Sequence, residues 1–121
     1  MNYESYTRIN SQVRPEVTFV VARMSFGRRM ELIRRIRDLT VKAEFLEAGE
    51  TPTEKLDLAL LSADVDRVYV IWGLQQLIGL EVDGAAATPA LLASAGPEEL
   101  FREAAAIVKA ECGLSEQERK N

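Results

Sequence analysis

The sequence predicts a mainly α protein of the α+β class, with about four helices and a short two-stranded β element. Three observations carry that prediction. Two long stretches, 27–48 and 51–78, repeat their apolar residues with helical period. One segment, Glu16 to Met24 (EVTFVVARM), is dense in β-branched and aromatic residues, as strands are. Two Thr-Pro pairs, Thr51-Pro52 and Thr88-Pro89, sit where a capping residue and a first-turn proline would open helices.

In chain order, Met1 to Pro15 is polar, aperiodic and closed by a proline, so residues 1–15 are expected to form a flexible arm. In the 16–24 strand, Val17, Phe19 and Val21 face one way and Thr18, Val20, Ala22 and Met24 the other. Both faces are largely apolar and need cover, and the strand needs a partner from later in the chain or from another subunit. Ser25 fits the cap of a helix from about Gly27 to Ala48, ended by Gly49. Its stripe of Leu32, Ile36, Leu39, Ala43 and Leu46, flanked by Ile33, spans about 80° and should face the core. Acidic residues one turn away answer several of its arginines: Glu31 with Arg35, Arg34 with Asp38, Asp38 with Lys42.

Thr51-Pro52-Thr53-Glu54 has the form of a capping box and opens a helix expected to reach Ile78. That helix carries two apolar stripes. Leu56, Ala59, Leu60, Ala63, Val70, Ile71, Leu74, Leu77 and Ile78 form the first. Leu58, Leu61, Val65, Val68, Tyr69 and Trp72 form the second. Gly79 to Ala87 contains an extended piece, Leu80–Val82, and an Asp83-Gly84 turn. Leu80–Val82 is the natural partner for the 16–24 strand. A two-turn helix follows over 90–95, and Gly96-Pro97 breaks it. The last main helix, 98–111, turns Leu100, Ala104, Ile107 and Val108 inward and stops at Gly113. A single helical domain over 16–113 is expected, followed by a frayed tail over 114–121 with Ser115 and Glu118 as a further capping pair.

The chain has 121 residues, of which 47% are apolar and 28% charged. That is ordinary globular composition. Its longest apolar run, Val68 to Leu74, is far short of a membrane span, and no membrane association is expected. The first fifteen residues lack the apolar centre of a signal peptide, and Cys112 has no second cysteine to pair with. A cytoplasmic protein is the expectation.

The absence of histidine removes the commonest proton shuttle and metal ligand. With a single cysteine as well, zinc sites and histidine-activated nucleophiles have no side chains to use. The remaining carboxylate pairs have structural explanations. Asp64 and Asp66 diverge on a helix, and Glu98 and Glu99 suit the positive end of a helix dipole. The glycines are scattered and form no phosphate loop. The sequence therefore predicts no catalytic residues, no metal and no cofactor, and a protein that is not an enzyme.

Binding candidates remain. Residues 1–42 hold nine Arg/Lys against four Asp/Glu, a net +5, while residues 43–121 hold six against fifteen, a net −9. Arg28, Arg29, Arg34 and Arg37 are the basic-patch candidates. Their charges spread around the helix with Glu31 and Asp38 among them, and the whole chain is acidic, which disfavours nucleic acid. A helix with two apolar faces in so small a chain points instead to protein association. The second stripe, with Val65, Tyr69 and Trp72 central and Leu58 and Leu61 beside them, is the candidate contact surface: tryptophan is favoured at binding hot spots, while a lone Trp72 beside Tyr69 fits a core position equally well.

Several runs carry a family resemblance: Trp72-Gly73-Leu74, Gly79-Leu80 with Asp83-Gly84, Thr88-Pro89, and the ending Gly113-Leu114-Ser115-Glu116 with Glu118-Arg119-Lys120-Asn121. Ser25-Phe26-Gly27-Arg28-Arg29 has the same flavour. Together they resemble small proteins of tailed-phage and prophage tail modules, and within these the tail assembly chaperones. The resemblance covers roughly half the chain, 68–121 best, and the N-terminal strand and arginine-rich helix depart from it. It implies a helical protein of the host cytoplasm that self-associates and binds tape-measure or tail-tube subunits. A structural subunit of the tail or head–tail connector, and a nucleic-acid-binding regulator, are the alternatives.

Overall fold

A computed structural model describes residues 1–47 and 51–113. Its elements run β1 (Tyr6–Asn10), β2 (Thr18–Ala22), α1 (Phe26–Glu47), α2 (Pro52–Gly73), β3 (Leu74–Ile78), β4 (Glu81–Val82), β5 (Ala85–Ala86), α3 (Pro89–Ala95) and α4 (Glu98–Cys112). The architecture is α+β, as expected, but the β part is larger. It comprises a three-stranded antiparallel sheet in the order β1-β2-β3 and a separate β4–β5 hairpin. The stretch expected as one domain over 16–113 forms two compact units. One contains residues 1–24 and 69–113, and the other contains residues 25–68.

In the first unit the strand expected over 16–24 is the middle of the sheet. Its partner on one side comes from the segment expected to be a flexible arm. β1 pairs with β2 from Tyr6 opposite Ala22 to Asn10 opposite Thr18, and the Arg23 N–H donates to the Ser5 carbonyl at 2.8 Å. Side chains alternate along YTRIN, so Thr7 and Ile9 turn half-buried while Arg8 and Asn10 stay exposed.

On its other side β2 pairs with β3, where the apolar period predicts a continuing helix and Leu80–Val82 is the expected partner. Helix α2 ends at Gly73. A side chain on Gly73 would overlap Val108 of α4, so the glycine lets the helix end approach α4 closely. The β2–β3 register runs Thr18–Ile78, Phe19–Leu77, Val20–Gln76 and then skips to Val21–Leu74, leaving Gln75 as a bulge. Phe19, Val21, Leu74 and Leu77 are thereby brought to one face and are all buried. Glu81 and Val82 pair instead with Ala86 and Ala85 around the expected Asp83-Gly84 turn. Asp83 and Gly84 take φ of 52° and 81°. Such a left-handed pair is what a two-residue hairpin requires.

Helices α3 and α4 lie against β3 and β2 respectively. Leu100, Ala104 and Val108 of α4 are buried as expected, joined by Ala105 and Cys112. The expected caps form. Thr88 accepts from the Leu91 N–H at 3.1 Å, and Gly113 adopts the left-handed conformation after α4.

In the second unit Ser25 accepts from the Arg28 N–H at 3.2 Å and caps α1. Thr51 accepts from the Glu54 N–H at 3.1 Å and donates its hydroxyl to the Glu54 carboxylate at 2.8 Å. Leu32 and Ile36 of the predicted α1 stripe are fully buried, and Val65 of α2 is 8% exposed. The side chains of Ala43 and Leu46, the stop at Gly49, and the tail over 114–121 with its Ser115–Glu118 pair lie outside the described residues.

Candidate protein-binding surface

The exposure of α2 differs between its two stripes and along its length. Of the expected contact residues, Tyr69 is 1% exposed and Val65 is 8% exposed. Leu58, Leu61 and Trp72 are half-buried. Tyr69 also has the Lys109 ammonium of α4 at 5.5 Å from its ring centroid, within range of a cation–π attraction. Val65 and Tyr69 are therefore packed inside the chain, whereas Leu58, Leu61 and Trp72 keep part of their surface open. Hydrophobic period alone shows that both stripes exist. It does not show which one the rest of the chain covers.

The first stripe is the open one over the first half of the helix. Leu56 is 62% exposed and Leu60 is 59% exposed. Ala59 and Ala63 lie beside them, also exposed. At about 100° per residue, Asp57 and Asp64 form a line along one edge of this ridge, and Lys55 lies on the other edge. All three are exposed, as is Arg67 at the ridge's C-terminal end. The result is an apolar ridge with an acidic border. Its signal in the sequence is the presence of charge at positions 57, 64 and 67, all within or beside the first stripe and unsuited to a core.

A second exposed face lies on α1. Phe26 is 81% exposed and Val41 is 49% exposed, with Met30 half-buried between them. The four basic-patch candidates do not converge. Arg28 and Arg29 are half-buried, while Arg34 and Arg37 are exposed on the Phe26 side of the helix. Arg35 pairs with Glu31 at 3.0 Å, as expected. Asp38 lies 4.0 Å from Arg37, so it is drawn to a neighbour other than the expected Arg34 and Lys42. Among the described residues, Arg34 has no ionic partner.

In the first unit the loop between β1 and β2 is fastened to α4 by a carboxylate. Ser11, 3% exposed, donates its hydroxyl to Glu103 Oε1 at 2.5 Å. The Gln12 N–H donates to Glu103 Oε2 at 2.7 Å. The Ser11 oxygen in turn accepts from the N–H groups of Val13 and Arg14, at 3.1 and 2.9 Å. One turn earlier on α4, Glu99 pairs with Arg14 at 3.0 Å, both side chains about half exposed. Glu103 is therefore a structural clamp, and Glu99 adds a weaker surface contact to its dipole role.

Among the described residues no three His, Cys, Asp or Glu side chains gather as a metal site. No described helix is long and apolar enough to cross a membrane. No protein-family model, curated protein or solved structure matches the chain.

Proposed function

We propose that the protein is a tail assembly chaperone of a tailed phage or prophage, holding tape-measure or tail-tube subunits non-covalently in the host cytoplasm before they polymerise. One observation carries the binding part of this reading, the open Leu56–Leu60 ridge of α2. Water-exposed leucines one turn apart on a helix have the form of a groove-and-ridge contact with another helix, and a tape-measure protein would offer long helical segments to such a surface. The sequence supports the same reading. It has no histidine and a single cysteine, which leaves little for catalysis to use, and its motifs resemble those of tail-module proteins.

A virion structural subunit is the second reading. Among the described residues the outer edges of β1 and β3 have no strand beside them, and open edges are where subunits of a lattice add strands. Fractionation of phage-producing cells separates the two. The chaperone reading expects this chain with unassembled tape-measure protein and its absence from purified virions. Stoichiometric amounts in virions would overturn it in favour of the structural subunit.

A further inference from the structure

The two exposed faces of the second unit share one pattern with opposite charge. On α1, Phe26, Met30 and Arg34 follow one another at steps of four residues. On α2, Leu56, Leu60 and Asp64 do the same. Residues four apart form a continuous ridge along a helix, and two such ridges pack beside one another in the commonest class of helix contact. Each ridge is apolar, apolar, charged over about 12 Å, reading from the helix N-terminus. Side by side in parallel, they set Phe26 and Met30 against Leu56 and Leu60, and bring Arg34 to Asp64.

Exposure favours an occupant from outside the chain. Phe26 at 81%, Leu56 at 62% and Leu60 at 59% are the most open of the large apolar residues described, apart from Met1 and Tyr3 near the terminus. Arg34 and Asp64 are both exposed, and each lacks an ionic partner among the described residues. Gly27, next to Phe26, has open space where a side chain would stand, so a neighbouring helix can come close there. Asp57 extends the acidic border of the α2 ridge, and Arg37 lies beside Arg34 on α1 with Asp38 at 4.0 Å.

We infer that the α1 ridge of one copy docks in parallel on the α2 ridge of a second copy, through Phe26 and Met30 on Leu56 and Leu60 with Arg34 paired to Asp64. The contact joins two different surfaces, so it either closes reciprocally between two copies or propagates from copy to copy. It stands independently of any phage role. It covers the same leucines that a client would use, so self-association and client binding compete.

Light scattering on the purified full chain, over a range of concentration and from about 0.05 to 1 M salt, reads this directly. The wild type should exceed the monomer mass at low salt and fall towards it as salt rises. Arg34→Glu and Asp64→Arg should each weaken association by about threefold to tenfold. The chain carrying both changes should recover it, because the pair is then reversed instead of broken. Leu56→Ser should abolish association in every charge background. Circular dichroism of these surface variants guards against misfolding. A monomer at every concentration and salt would overturn the inference. So would single charge reversals without effect, or a double reversal no better than either single change. Since no client is present, failure here leaves the tail-chaperone reading to its own fractionation test.

Discussion

Ser11 and Glu103, 92 residues apart, share a hydrogen bond that ties the β1–β2 loop to the middle of α4. The serine hydroxyl donates to one carboxylate oxygen and the Gln12 N–H to the other. The serine oxygen meanwhile collects two backbone N–H groups of its own loop. A single buried hydroxyl thus folds the loop and fastens it to the helix. Ser11→Ala should cost about 1–3 kcal/mol, since two N–H groups lose their acceptor and the carboxylate loses a donor. Glu103→Ala should cost a similar amount. Urea unfolding of both single variants and the double variant should show a coupling of at least about 0.5 kcal/mol, as for groups in one network. Strictly additive losses would mean that the two residues act separately.

Gly79 and Gly84 both have positive φ, at 85° and 81°, but their surroundings differ. A side chain on Gly79 would overlap the Glu16 carbonyl just ahead of β2, whereas Gly84 opens onto free space at the hairpin tip. Gly84→Ala should therefore cost only the conformational term, about 1–2 kcal/mol. Gly79→Ala adds a backbone clash and should cost at least about 3 kcal/mol, or prevent folding. Thermal unfolding of the two variants side by side checks the order, and equal losses would contradict it.

The contact between Gly73 and Val108 predicts a compensating pair. Gly73→Ala should destabilise by about 1–3 kcal/mol through overpacking against the valine. In a Val108→Ala background, where the obstructing methyl groups are gone, the same change should cost markedly less. The double-mutant cycle on chemical denaturation reads the difference. A Gly73→Ala penalty that is unchanged by the second substitution would place the strain elsewhere.

The local signals of this fold are largely legible in the sequence. Ser25, Thr51 and Thr88 cap the helices they are expected to cap, and Asp83-Gly84 makes the hairpin turn. What is hidden follows from β3. The spacing of Leu74, Leu77 and Ile78 fits a helical stripe, so the period carries α2 five residues too far. In the sheet, the Gln75 bulge puts Leu74 and Leu77 on one face although they are three apart, an arrangement that imitates helical spacing. β1 is hidden for a different reason. Tyr6 to Asn10 is an edge strand with Arg8 and Asn10 exposed, and its alternation is too short and polar to stand out from an arm. The proposed surface is the least legible, because two apolar stripes on one helix have the same periodicity. Their burial in the folded chain separates Leu56 and Leu60 from Val65 and Tyr69, and in the sequence the charges at 57, 64 and 67 are the one hint of it.

That distinction gives the proposed surface its own stability signature. Leu56→Ser and Leu60→Ser remove side chains that are mostly in water and should shift folding stability by no more than about 0.5 kcal/mol each. Val65→Ala and Tyr69→Ala empty core positions and should cost about 1–4 kcal/mol. Urea midpoints for the four variants check this ordering. Leucine variants as damaging as the core variants would show that the ridge is packed in solution.

The most direct test of the account is capture of tape-measure protein by the tagged full chain in phage-producing cells, comparing wild type with the Leu56→Ser/Leu60→Ser variant by quantitative mass spectrometry. The wild type should retain the tape-measure protein, and the variant, with an unchanged unfolding midpoint, should lose it by tenfold or more, on the order of 1.4 kcal/mol. Equal retention by both proteins would contradict the chaperone reading, as would the absence of tape-measure protein from the wild-type capture.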